Sequence, residues 1–165
     1  MLPREMTALL PLPVLPIVLF LAACTGADSA DDSGPVVDTS PGSLALAFQM
    51  EEDLIVSMDA PPVGTFYGSI YAEDDATAIG PNDGAVSLED FSAEMDLSDG
   101  GGPTATLYTT GALASDVVWV LGCLDVDANG CGDEGDPITV PNDDKLVVPA
   151  AAETAVTVQM NMLRP

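Results

Sequence analysis

Residues 125–136 hold a dense group of potential metal ligands, reading Asp-Val-Asp-Ala-Asn-Gly-Cys-Gly-Asp-Glu-Gly-Asp. Carboxylate and amide oxygens are the ligands of hard cations, and calcium takes about six to eight of them. Alternate residues of a tight loop point inward, and Gly130 permits the sharp turn that brings them together. The stretch therefore predicts a calcium site. The alternative is a solvated acidic connection that binds no ion tightly.

The same twelve residues resemble the calcium loop of EF-hand proteins, in which oxygen ligands alternate around a glycine at the sixth position. The resemblance implies six ligands: Asp125, Asp127, Asn129, the backbone carbonyl of Cys131, Asp133 and Asp136. The loop departs from the family in ending on Asp136 where EF-hands have Glu, and in carrying Gly132 at the eighth position. A predicted strand, not a helix, precedes it. We therefore expect a single calcium loop on a β scaffold.

The N-terminal residues are typical of a secretory signal, because the uncharged apolar run 6–23 closes on small residues. The sequence Leu21-Ala22-Ala23-Cys24 resembles the lipobox of bacterial lipoproteins. This resemblance implies cleavage before Cys24, a diacylglycerol on its thiol and an acyl chain such as palmitate on its new amine. Thr25 at the following position implies an outer-membrane lipoprotein facing the periplasm or the cell surface. The alternative is an uncleaved membrane anchor, for which a run with three prolines is poorly suited.

Three regions follow from this pattern. Residues 1–23 are the predicted signal peptide, and residues 24–43 are the lipidated cysteine and a flexible tether rich in Ser, Asp, Gly and Pro. Residues 44–165 are the predicted folded domain.

Cys123 and Cys131 bracket most of the acidic loop. Because an exported chain enters an oxidising compartment, we predict that they form a disulfide, with two free buried thiols as the alternative. The chain has no Cys-x-x-Cys motif and no basic neighbour to activate a thiol, so a redox-active pair is disfavoured.

Composition excludes several functions. The 165 residues include 27 acidic and 3 basic residues and no histidine, for a formal net charge of −24. Without histidine there is no Ser-His-Asp triad, no Cys-His pair and no histidine-ligated zinc. Such a negative charge repels phosphate backbones, so nucleic acid is not an expected partner. The predicted partner is the membrane, through the lipid anchor.

From residue 44 onward, apolar residues recur with a period of two, which indicates strands. Leu44, Leu46, Phe48 and Met50 alternate with small or polar residues, residues 117–124 are apolar on both faces, and residues 154–163 form a last strand. Trp119, in the central strand, is expected in the core. Short strands with Gly- and Pro-rich turns predict an all-β, antiparallel β-sandwich, immunoglobulin-like or transthyretin-like, with a barrel as the alternative.

A wider resemblance covers residues 64–148. The pattern Gly64-x-Phe66-x-Gly68-x-Ile70-Tyr71, followed by a buried strand that ends in Asp-x-Asp-x-Asn-Gly, is similar to transthyretin-like or carboxypeptidase-regulatory-like sandwiches of bacterial surface proteins. This resemblance implies a non-catalytic binding or spacer module.

We therefore expect a lipid-anchored, non-catalytic, calcium-stabilised surface module. One alternative is an acidic structural lipoprotein without a specific ligand, whose charge serves solubility in a salty habitat. A remote alternative is a carboxylate-based hydrolase, such as a glycoside hydrolase.

Overall fold

The computed structural model describes residues 38–114 and 116–165. Strands dominate this part of the chain, with one five-residue helix and one 3₁₀ turn, Glu73–Asp75, beside them. The elements in chain order are β1 (Ser43–Met50), α1 (Glu52–Val56), β2 (Val63–Ala72), β3 (Ala76–Thr77), β4 (Gly80–Pro81), β5 (Glu89–Asp96), β6 (Tyr108–Thr109), β7 (Val117–Asp125), β8 (Pro137–Ile138), β9 (Leu146–Val147), β10 (Glu153–Met160) and β11 (Met162–Leu163).

Two sheets enclose the core, so the predicted all-β sandwich is confirmed. The smaller sheet has the order β10-β1-β6, and the larger has the order β11-β8-β7-β2-β5, with β9 also paired to β7. The larger sheet is antiparallel throughout. In the smaller sheet β1 and β10 run parallel, which requires a crossover connection. The intervening strands of the larger sheet supply that crossover.

The period-two pattern of β1 correctly predicts which face of the strand is buried. Leu44, Leu46, Phe48 and Met50 are all buried between the sheets. The ring of Phe66 on β2 contacts Phe48 with centroids 4.8 Å apart and Phe91 at 5.7 Å. This three-ring contact joins β1, β2 and β5 across the middle of the domain.

Strand β7 is buried on both faces, as its continuous apolar run predicts. Val118, Val120 and Leu124 belong to the main core, whereas Trp119 and Leu121 form a second, smaller cluster with Ala76 on the outer side of the larger sheet. Trp119 is only 4% exposed, and its indole N–H donates to the backbone carbonyl of Glu73 at 3.1 Å. The prediction that Trp119 is a core residue is confirmed.

The last predicted strand, residues 154–163, is divided in the structure. Strand β10 ends at Met160, and β11 begins at Met162 in the other sheet. Asn161 stabilises this switch: its backbone N–H donates to the carbonyl of Ile138 at 2.9 Å, and its side-chain amide donates to the carbonyls of Thr139 and Pro141 at 2.7 and 2.8 Å. A uniform alternating pattern carries no signal for such a change of sheet.

A partly buried carboxylate connects the two sheets at the β5 and β6 edges. Tyr108 on β6 donates its hydroxyl to Glu89 of β5, whose other oxygen accepts the Gly111 N–H at 2.9 Å. The Tyr108 ring stacks on Phe91 at 4.3 Å. The hydrogen bond to Glu89, helped by burial, raises the pKa of Tyr108 from 10.0 to about 12.

Tyr108 is therefore expected to make stability depend on alkaline pH. A tyrosine in the unfolded chain ionises at about pH 10, while the folded one keeps its proton to about pH 12. The contribution of Tyr108 to the free energy of unfolding is thus fully present below pH 10, and it is lost as the pH rises from about 10 to about 12. Urea unfolding at several pH values measures it: the stability difference between the wild type and Tyr108→Phe should shrink from about pH 10 upward. A difference that stays constant to about pH 12 contradicts the assignment.

Candidate metal centre

The register of β7 and β8 brings the two ends of the acidic loop together. Cys123 pairs with Ile138 in this antiparallel ladder, so its continuation places Asp125 opposite Asp136. Both aspartates are buried, at 5% and 3% exposure. Asp125 and Asp136 are eleven positions apart in the sequence, yet their carboxylates lie next to each other.

Three carboxylates meet at this point. Asp125, Asp127 and Asp136 each contribute one oxygen to a group whose atoms lie within 4.8 Å of one another. Asp127 is exposed, so the group is open to solvent on one side. Like charges at this distance repel each other strongly where water is excluded. The arrangement suits a hard cation that binds several oxygens at once.

Backbone N–H groups hold two of the carboxylates in place. The two oxygens of Asp125 accept the N–H groups of Asn129 and Gly130 at 3.2 and 3.0 Å. Asp127 accepts the backbone N–H of Asn129 at 3.3 Å and the side-chain amide of the same residue at 2.6 Å. Ala128 at φ 61° and Gly130 at φ 103° allow the loop to curl around these acceptors.

Asp136 differs from the other two. Its Oδ2 atom is buried and has no hydrogen-bond partner within the described part of the chain. A buried carboxylate oxygen without a partner is costly, and structures normally compensate it. The other such atom in the described residues is Nε of Arg164, whose backbone N–H binds the Asp136 carbonyl.

The structure thus brings together three of the six residues that the sequence indicated. Asn129 contacts the group through Asp127. Asp133 is exposed and lies outside the group, although its carbonyl accepts the Asp136 N–H at 3.4 Å. The roles of all six residues as metal ligands stay predictions, because the structure shows only that three of the carboxylates lie together.

Cys123 and Cys131 lie at disulfide distance, with their Cα atoms 6.0 Å apart. This pair connects the loop to the buried end of β7, eight residues away in sequence. Such a crosslink restricts the unfolded chain and limits the movement of the residues between the cysteines. Cys24, the predicted lipidation site, lies outside the described residues.

A cleft of about 260 Å³ lies beside the three carboxylates. Its acidic side is formed by Asp127, Asp133, Glu134 and Asp136, and its other side by residues 57–60, which follow α1, with Leu163. Two of the three clustered carboxylates, Asp127 and Asp136, thus line this cleft.

The C-terminal residues are a part of the site that sequence reasoning missed. The Arg164 N–H donates to the Asp136 carbonyl at 2.8 Å, and the Gly135 N–H donates to the Arg164 carbonyl at 2.9 Å. These bonds extend the β8–β11 ladder to the loop. The alternating pattern ending at Leu163 predicted a strand, but nothing in it indicated β8 as the neighbour.

The described part of the chain contains no helix with the length and apolarity needed to span a bilayer. Comparison with protein-family models, with curated proteins and with solved structures finds no match for this chain. Its function is therefore inferred from the loop, its carboxylates and their surroundings.

Proposed function

We propose that the chain is an exported, lipid-anchored, non-catalytic β-sandwich, stabilised by calcium at residues 125–136, that serves as a surface binding or structural module. The observation that supports this most is the buried, unpartnered oxygen of Asp136 beside two further carboxylates. The membrane is the proposed partner, through lipid on Cys24 at the outer membrane.

The charges around the loop favour a bound cation. The described residues include two basic side chains, Lys145 and Arg164. Lys145 pairs with Glu73 at 2.6 Å, on the Trp119 side of the larger sheet. Arg164 contacts Asp136 through its backbone. Because neither side chain makes an ion pair with the loop carboxylates in this part of the chain, a divalent ion would supply the missing positive charge.

The ligand chemistry favours calcium among divalent ions. Zinc prefers nitrogen and sulfur ligands, but the chain has no histidine, and the two cysteines of the loop are at disulfide distance. Magnesium requires a nearly ideal octahedron and keeps most of its water. Calcium accepts an irregular set of carboxylate, carbonyl and water oxygens, which matches a curled loop with an adjoining open cleft.

Three surface carboxyl groups are unsuited to act as general acids. The pKa values of Asp38, Asp90 and Asp96 are lowered, chiefly by hydrogen bonds from Ser40, Ser69 and Ser98. All three groups lie on the surface. A general acid for glycoside hydrolysis needs the opposite, a carboxyl whose burial keeps it protonated.

A thermal melt of residues 27–165 tests the proposed site. Adding calcium to protein in chelator, at fixed ionic strength, should raise the melting temperature, because an ion that binds only the folded state stabilises it by about 2.7 kcal/mol at one hundred times its dissociation constant. Magnesium at the same concentration is the matched control and should give a smaller rise. A calcium effect no larger than that of ordinary salt would contradict the proposal and favour an acidic structural lipoprotein without a specific ligand.

A further inference from the structure

The two sheets present edges of different character. Strand β5, at one edge of the larger sheet, carries Glu89, Asp90, Glu94 and Asp96 among its eight residues. Thr65 and Ser69 of β2 donate to Glu94 and Asp90 at 2.5 and 2.6 Å. Charged side chains on an edge strand prevent pairing with another chain. This edge is therefore protected.

Strand β10, at an edge of the smaller sheet, lacks that protection. Its eight residues, ETAVTVQM, carry one charge, on Glu153, and neither proline nor glycine. All eight pair in register with β1, without a bulge. Within residues 38–114 and 116–165, no strand pairs with the outer side of β10. A regular edge of this length with a single charge at one end is a template for a further strand.

The core is also incompletely covered along β10. Thr154 and Val156 lie on the core side of this strand, yet both are only partly buried. Their register partners on β1, Leu44 and Leu46, are fully buried. A strand added beside β10 would remove this apolar surface from water.

We infer that β10 is the edge through which two copies of this chain associate, by antiparallel pairing of β10 with β10 across a two-fold axis at Thr157. This register places Val156 opposite Val158, Ala155 opposite Gln159, and Glu153 opposite Asn161, so no two charged residues of the paired strands themselves are opposite each other. Such an interface is self-complementary, as a two-fold dimer requires. A basic peptide, in contrast, would be drawn to the four carboxylates of β5 and not to a strand with a single charge.

The dimer should strengthen as salt concentration rises. Each copy carries a formal charge of −24, and Glu51 and Asp53 flank the Met160 end of β10. In the antiparallel arrangement this acidic end approaches Glu153 of the other copy. Salt screens such repulsion between exposed charges, while the strand pairing itself is little affected.

Sedimentation velocity of the full chain tests this inference, with a neutral detergent in excess so that residues 6–23 do not drive association. We expect a monomer–dimer equilibrium whose dissociation constant falls between about 0.05 M and 0.5 M sodium chloride. Hydrogen exchange should show concentration-dependent protection within residues 153–160. A monomer at every concentration and salt level, or protection confined to other strands, would overturn the inference.

Two lysine variants locate the interface at about 0.15 M salt. Thr157→Lys places two like charges opposite each other at the axis, and we expect the dissociation constant to rise about threefold or more. Ser92→Lys adds the same charge to an exposed position on β5 and should not weaken the dimer. Because both variants reduce the net negative charge equally, a general charge effect would act on both alike. Equal dissociation constants for the two variants would also overturn the inference.

Discussion

Replacing Asp136 by Asn is expected to have opposite effects with and without calcium. In chelator, Asp136→Asn should raise the free energy of unfolding by about 1–2 kcal/mol, because it removes a buried unpartnered charge and supplies an amide donor to the nearby carboxylates. In calcium, the same variant should lose most of the stabilisation by the ion, since it removes a charged ligand. Urea unfolding in chelator and in calcium measures both effects.

Glu134→Gln is the matched control. It removes the same charge from the same loop, but Glu134 is exposed and is not one of the three clustered carboxylates. Its effect should stay within about 0.5 kcal/mol in either condition. If Asp136→Asn destabilises the protein in chelator, or if the two variants behave alike, the assignment of Asp136 to a metal site is wrong.

Replacing Phe66 by Ala is expected to cause the largest loss of stability from a single truncation, about 3–5 kcal/mol. The side chain is fully buried and its ring contacts two other aromatic rings, so truncation loses their contacts and leaves a cavity. Tyr67, the next residue on β2, is 47% exposed. Tyr67→Ala is therefore the matched control, with an expected loss below about 1 kcal/mol. Comparable losses in urea unfolding would contradict the packing described.

A substitution at Gly68 provides a second test of the packing around the Phe66 ring. A Cβ atom there would lie 2.5 Å from the Phe66 ring and 2.7 Å from the Phe91 ring, so Gly68→Ala should cost about 1–3 kcal/mol by overpacking. Combined with Phe66→Ala, part of this cost should disappear, because the truncated ring leaves room for the methyl group. A double-mutant cycle should therefore show a coupling of at least about 0.5 kcal/mol, and strict additivity would contradict it.

Local features were determined by the sequence alone, because they depend on neighbours a few residues apart. The alternation from Leu44 to Met50 predicted which face of β1 is buried, and the apolar run of β7 predicted burial on both faces. The short connection between β7 and β8 also contains two local pairings, Cys123 with Cys131 and Asp125 with Asp136. Because this connection is short, few backbone conformations can join the two strands.

Long-range pairings were decided only in the tertiary structure. The parallel pairing of β1 with β10, the change of sheet at Asn161 and the placement of Arg164 beside Asp136 join residues far apart in the chain. A period-two pattern shows which face of a strand is buried, but many strand orders satisfy it equally well. Which strands become neighbours, and therefore which edge stays open and which carboxylate stays without a partner, depends on how all the apolar faces are covered at once.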